Sequence, residues 1–188
     1  MAAEDAWAGA PRLVLVEASV ADQTVDLFPA GGRTVLTREA LRPSVPFEGS
    51  VFAALEAVRP GDALGLVVPA VWRGDEALIA VRDHVNLALR GPLTGRWPAG
   101  VPRRFPCMTG IYQPGLARAA AGAPVYSGDA VVAGVADAGR LTPFERRAID
   151  ESGAAAWSDC LAPAVIAAAF YGLKVAACVV ARAARERE

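Results

Sequence analysis

Apolar residues in this chain come in short unbroken runs rather than strict alternation. Leu13 to Val16 is one such run and suits a central strand covered on both faces. Ala63 to Val68, Ala77 to Val81 and Ala130 to Val132 are three more, and each follows a Gly-Asp pair: Gly61-Asp62, Gly74-Asp75 and Gly128-Asp129. Gly supplies a permissive backbone and Asp a side chain that bonds the next amides, so these pairs read as turns. No fixed period links them, which excludes a repeat protein. Thr24 to Phe28 and Arg33 to Thr37 flank Pro29-Ala30-Gly31-Gly32 and predict a β-hairpin. Ser50 to Val58 places Val51, Ala54, Leu55 and Val58 on one face, predicting a helix stopped by Pro60-Gly61.

Thr142-Pro143-Phe144-Glu145 predicts a second helix, with Thr as cap, Pro in the first turn and Glu closing a capping box; Ser152-Gly153 ends it. A strand (Ala154 to Trp157), a helix (Ala164 to Tyr171) and a last strand (Lys174 to Val180) follow. Residues 91 to 115 form a long loop rich in Pro, Gly and Arg; loops of that length inside a compact domain are usually functional or disordered, and Trp97, Phe105 and Tyr112 argue against disorder. Strands alternating with helices predict an α/β fold, a sheet flanked by helices.

Composition narrows the classes. With 54% hydrophobic and 21% charged residues over 188 positions, the chain is not a disordered or low-complexity protein. Its net charge of -1 gives no broad footprint for nucleic acid or an anionic membrane. Cys107, Cys160 and Cys178 are widely spaced and form no CxxC pair, so neither a disulfide framework nor a thiolate zinc site is expected, and no metal. Leu161 to Ala181 is long enough to span a bilayer, but Pro163, Gly172 and Lys174 interrupt it; it reads as a buried helix followed by a buried strand. The first residues are acidic where a leader would be basic. The expectation is a soluble, cytoplasmic, single domain over 1–188, with flexible ends at 1–10 and 182–188.

The most distinctive string is Val81-Arg82-Asp83-His84-Val85-Asn86-Leu87, followed by Gly91-Pro92-Leu93-Thr94-Gly95 and by Arg103-Arg104-Phe105-Pro106-Cys107-Met108 with Tyr112. It resembles the trimeric purine nucleoside phosphorylases, which carry R-D-H-I-N-L, N-P-L-x-G and R-F-P-x-M-S-x-x-Y in that order. The match is dense over roughly residues 78 to 112. More weakly, Gly153-Ala154-Ala155-Ala156-Trp157-Ser158-Asp159-Cys160-Leu161-Ala162-Pro163 resembles the family's G-A-D-A-V-G-M-S-T-V-P, and Gly172-Leu173-Lys174-Val175 its G-L-R-V. Val16-Glu17-Ala18-Ser19-Val20 stands at the Gly-rich phosphate loop, and Arg42-Pro43-Ser44-Val45-Pro46-Phe47-Glu48-Gly49 resembles R-x-H-x-Y-E-G.

The resemblance implies a single-domain, three-layer phosphorylase-like fold with a mixed central sheet, and an oligomer. The oligomer is a homotrimer or a hetero-oligomer with an active relative. It also implies a purine nucleoside ligand, with inorganic phosphate as the only co-substrate if the protein is active. Ser19, Arg42 and Ser44 fall at the phosphate ligands, but Ala18 and Val20 replace the loop's glycines, and Ser44 replaces a His and brings no positive charge. Trp157, Ser158, Cys160 and Trp97 fall at the substrate pocket, Trp97 standing in for a Phe that reaches the neighbouring subunit. Leu141 stands at a base-binding Glu, and the base-binding Asn falls near Ala183. Asp159 replaces a Met beneath the sugar, where with Glu48 it is the candidate for catalysis. The chain also ends about one long helix early relative to the family.

His84 is the single histidine, and its place in the motif assigns it to organising a strand end rather than to general-base work. Cys160 reads as buried packing and Trp157 as core. Lost stabilisers of the departing base matter because one oriented donor is typically worth about 10²–10³ in rate. The expectation is therefore a divergent phosphorylase-like protein with reduced or no phosphorolysis, acting as a structural subunit. Two alternatives stand beside it: an active phosphorylase or hydrolase of an N-glycosidic bond, or a purine- or nucleotide-binding module without turnover.

Overall fold

The computed structural model describes residues 11–24, 26–28, 31–43, 50–72, 74, 78–88, 91–95, 97, 105–121 and 126–182, excluding the side chains of 120, 121 and 126–129. Along these residues run β1 (Leu13–Glu17), β2 (Gly32–Leu36), α1 (Arg38–Leu41), α2 (Ser50–Glu56), β3 (Ala63–Trp72) and β4 (Leu78–Asn86). Then come α3 (Pro114–Ala121), β5 (Tyr126–Gly134), α4 (Pro143–Glu151), β6 (Ala156–Ser158), α5 (Leu161–Phe170) and β7 (Lys174–Arg182).

Strand β3 is the hub of a mixed sheet. One edge pairs in parallel with β7, from Ala63 opposite Lys174 to Val71 opposite Arg182. The other edge takes β1 in parallel at Leu64 to Val67, then β6 antiparallel at Val71 and Trp72. β7 continues to β4, β4 to β5, and β5 to β6, so the pairings return to β3 and the sheet closes on itself. β2 extends it beyond β1, in parallel. The expected α/β fold with a mixed sheet is present.

The unbroken apolar runs follow from burial on both faces. Leu64, Leu66 and Val68 of β3 join Val175, Ala177 and Val179 of β7 in a core with Leu161, Ala164, Val165 and Ala168 of α5. The intervening Val67, Ala176, Cys178 and Val180 face the other side, with Val14, Val16 and Phe28. Each fully buried Leu or Val contributes about 1.5–3 kcal/mol relative to an exposed one. The Leu161–Ala181 run resolves into α5, a turn in which Gly172 takes φ 73°, and β7. Among the described residues no helix is long and apolar enough to cross a membrane. At Gly134 a Cβ would lie 2.7 Å from the Ala162 Cβ, so glycine is what lets α5 start against the end of β5.

The hairpin expected at 24–37 does not form. Asp22–Thr24 is a 3-10 turn, and β2 runs parallel to β1 instead of folding back on a preceding strand. Arg33 accounts for the difference: its guanidinium donates to the Thr24 and Ala21 carbonyls, both at 2.8 Å, and to Thr24 Oγ1 at 3.0 Å. Those bonds fix the segment as a turn, and Phe28, at φ 55°, lies buried against Gly65. Helix α3 has no counterpart in the sequence reading. Helix α4 starts with the expected capping box, Thr142 Oγ1 accepting from the Glu145 amide at 3.2 Å and Glu145 accepting from the Thr142 amide at 2.7 Å. Arg182, expected in an exposed tail, is the last residue of β7.

Candidate functional site

β1, β2, β3 and β7 run in parallel, so their C-terminal ends share one edge of the sheet, the edge where α/β folds place ligands. Glu17 ends β1, Arg182 ends β7, and Arg38 opens the single turn of α1 after β2, behind the Thr37 cap. Strand β6 meets β3 at Trp72 and delivers Ser158, Asp159 and Cys160 to the same edge, just before α5.

Asp159 is the centre of this edge. It is only 4% exposed. Its Oδ2 is ion-paired with the Arg38 guanidinium and stands 3.5 Å from Arg42 Nη1. The same oxygen accepts from the Ala138 amide at 3.2 Å, while Oδ1 accepts from the Cys160 thiol at 3.2 Å. Arg38 also reaches Asp137 at 3.4 Å, and Arg42 donates to the Ala136 carbonyl. A buried carboxylate persists as an ion only when paired and hydrogen-bonded, and Asp159 is both.

A second carboxylate repeats the arrangement. Glu17 is buried and accepts from the amide of Ser19 at 3.0 Å and from its hydroxyl. Arg182 donates to Ser19 Oγ and lies 3.9 Å from Glu17. The two groups belong to one electrostatic neighbourhood centred near Cys160. Burial is the main reason its thiol is pushed up to about 12; Glu17 adds to that shift, and Arg38, Arg42 and Arg182 oppose it. At neutral pH Cys160 is therefore a protonated thiol and not a nucleophile.

The expected site residues are thus placed as follows. Asp159, Arg42, Ser158 and Cys160 come together at one strand end, and Ser19 lies on Glu17 and Arg182 nearby. Ser158 is fully buried and donates to the Pro69 carbonyl at 2.8 Å, which ties β6 to β3. Trp157 packs with Val135 and Ile149, its indole N–H donating to the Ala138 carbonyl at 3.2 Å. Trp97 sits at the other end of α5, edge-on to Phe170 at 5.7 Å and donating to the Leu93 carbonyl at 3.0 Å. Ten residues of helix, roughly 15 Å, separate it from the Asp159 end. Ser44 and Glu48 lie outside the described residues. Leu141 packs against the Trp157 cluster.

Sequence reasoning missed Glu17, Arg38 and Arg182. The available signals were weak: a charged residue at the very end of a continuous apolar strand in Glu17 and Arg182, and a cap-plus-Arg turn in Thr37-Arg38. Among the described residues no cluster of His, Cys, Asp and Glu is suited to hold a metal ion. In the segment of closest motif resemblance, His84 Nδ1 bonds the Tyr112 hydroxyl at 2.8 Å, and Tyr112 bridges to Val175 of β7. His84 therefore joins the strand to the loop.

No protein-family model matches the sequence, and no curated protein matches it. Solved structures do. A Schistosoma purine nucleoside phosphorylase in complex with hypoxanthine aligns at 18% identity with a TM-score of 0.66, covering 93% of this chain and 78% of that one. The Schistosoma mansoni enzyme in complex with inosine aligns at 16% identity with a TM-score of 0.65, covering 95% and 80%. At such identities the likeness is one of architecture, and it agrees with the closed mixed sheet and flanking helices. The chain has the fold of the purine nucleoside phosphorylases.

Proposed function

We propose that this chain is a divergent purine nucleoside phosphorylase-like protein of the cytoplasm with reduced or no phosphorolytic activity. In this reading it serves as a subunit of an oligomer, a homotrimer or an assembly with an active relative. The single observation that carries the loss of chemistry is the capture of both Arg38 and Arg42 by Asp159. Phosphorolysis needs free positive charge to hold phosphate beneath the sugar. Here both guanidinium groups already lie on a carboxylate of the same chain, whose effective concentration is millimolar or higher, and Arg38 reaches Asp137 as well, so two acidic side chains offset the two positive charges. Ser19 is likewise engaged by Glu17 and Arg182. Leu141 offers hydrocarbon where a departing purine anion needs a hydrogen-bond partner, and Cys160 offers no thiolate.

The test is incubation with inosine, guanosine, adenosine and 5′-methylthioadenosine, with and without phosphate. The expected result is turnover at least a thousandfold below the ordinary range of about 1–10³ s⁻¹. Rates inside that range would overturn the reading. Sedimentation of the chain alone, and of a mixture with an active relative, measures the assembly. Calorimetry with purines separates a structural subunit from a binding module.

A further inference from the structure

We infer that the bond between His84 and Tyr112 is a proton-gated clasp: the neutral imidazole locks residues 111–113 into the seam between β4 and β7, and protonation of the ring releases them. The sheet divides at that seam. β4 pairs with β7 from Leu78 opposite Val180 to Ala80 opposite Cys178, and then continues along β5 as far as Asn86 opposite Gly134. At Val175 the loop takes the place beside β7 that β4 has left. Tyr112 bridges to Val175, the Val175 amide donates to the Ile111 carbonyl and the Gln113 amide donates to the Val175 carbonyl, both at 2.8 Å. Ile111 and Tyr112 are buried there. His84 is the side chain by which β4 holds this segment: its Nδ1 lies 2.8 Å from the Tyr112 hydroxyl, and the two rings meet edge to face.

The proton count makes the bond a switch. With the ring neutral, the phenol donates to a bare Nδ1 and both groups are satisfied. A protonated ring carries a hydrogen on each nitrogen. Nδ1–H then points at the phenol oxygen, and the hydroxyl hydrogen has no second acceptor among the described residues. A buried donor without a partner costs its full desolvation. The surrounding charges do not offset this. Burial holds the ring's pKa below the ordinary 6.5, and the exposed Asp83 carboxylate on β4 opposes that shift. Arg82, also on β4, and Arg118, the only titratable group of α3, are exposed and keep their charge over this range. β5 sets Val132 opposite His84, between Val131 and Ala133, and none of the three titrates. Lys174 of β7 donates to the Gly110 carbonyl at 2.8 Å. The neutral ring therefore belongs to the clasped state, whose protection is complete above pH 6.5 and is lost as pH falls through the lowered value.

The experiment follows amide hydrogen exchange of the full chain from about pH 7.5 to 4.5, corrected for the intrinsic pH dependence of exchange, beside an NMR titration of the imidazole. Protection at Ile111, Gln113 and Val175 is expected to fall about tenfold or more, with the same midpoint as the imidazole, while Leu66 and Val67 on β3 keep theirs. His84→Gln can bond the phenol at any pH, and Tyr112→Phe has no hydroxyl to strand. Both are expected to abolish the pH dependence at the three amides. Undiminished protection below the imidazole midpoint overturns the inference. An equal loss on β3 overturns it too, since the whole sheet is then unfolding, and so does a release that survives either substitution. If neither variant folds, the unaltered chain still decides. Above the midpoint its imidazole must carry the hydrogen on Nε2, and a hydrogen on Nδ1 overturns the clasp.

Discussion

Arg38 and Asp159 are 121 positions apart in the chain, yet they form the ion pair at the centre of the strand-end cluster. Asp159 is buried, while the Arg38 side chain keeps 40% of its exposure. Water therefore screens one partner and not the other. A double-mutant cycle of Arg38→Met and Asp159→Asn should give a coupling of about 1–3 kcal/mol. Arg38→Met alone should cost more than that coupling, because it leaves a buried carboxylate with weaker compensation. Urea unfolding measures all four corners, and a coupling near zero would show that the pair is incidental to stability.

Gly134 and Ala162 define how closely α5 approaches the sheet. Gly134→Ala puts two Cβ atoms at 2.7 Å, which either the strand end or the helix must relieve. The expected cost is about 1–3 kcal/mol, the usual range for overpacking a tight core. Ala162→Gly in the same chain should restore much of the loss, since it deletes the atom that clashes. A double variant no more stable than Gly134→Ala would place the strain elsewhere.

His84 gives a clean pH signal because the chain has no other histidine. Burial lowers its pKa below the ordinary 6.5, and the Asp83 carboxylate opposes that shift without cancelling it. The sign follows directly. A depressed pKa in the folded state means the unfolded chain binds the proton more readily, so this contribution to stability is complete above pH 6.5 and is lost as pH falls through the folded value. An NMR titration of the imidazole should show a midpoint below 6.5, moving lower still in Asp83→Asn. The loss of stability on acidification should shrink in His84→Gln.

The three cysteines should separate by reactivity. Cys107 is exposed, and the Thr109 amide, the Thr109 hydroxyl and Lys174 lower its pKa. Cys160 and Cys178 are buried, and burial pushes both up to about 12. A thiol reagent at pH 7.5 should modify a single cysteine rapidly in the native chain, and all three after denaturation. Cys107→Ser should abolish the rapid phase; a rapid phase that persists would mean that a buried thiol becomes accessible through opening of the fold.

Much of the fold was legible because its strands are buried on both faces. Continuous apolar runs at Leu13 to Val16, Ala63 to Val68 and Val175 to Val180 have few other stable uses in a chain of this size. The start of α4 was equally legible, since a capping box is local chemistry. The hairpin at 24–37 was misread for a physical reason: Gly-rich turns between β-prone segments signal a hairpin only if the backbone carbonyls remain free, and Arg33 engages them from nine residues away or more.

The candidate site divides in the same way. Asp159, Arg42 and Ser19 were visible as residues standing where a resembling family carries phosphate or sugar contacts. That two carboxylates would engage three guanidinium groups was not visible, because ion pairing depends on which strand ends adjoin. The sequence by itself determined the apolar runs, the helix cap, the small-residue helix read at Ala164 to Tyr171 and the motif around His84, all of which act through neighbours in the chain or through the simple drive to leave water. Only the tertiary structure decided that β1, β2 and β7 end, and β6 leads into α5, at one edge of the sheet around β3, pairing Arg38 with Asp159 and Arg182 with Glu17. Coulomb energy depends on separation in space, and nothing in the linear order of these four residues specifies that separation.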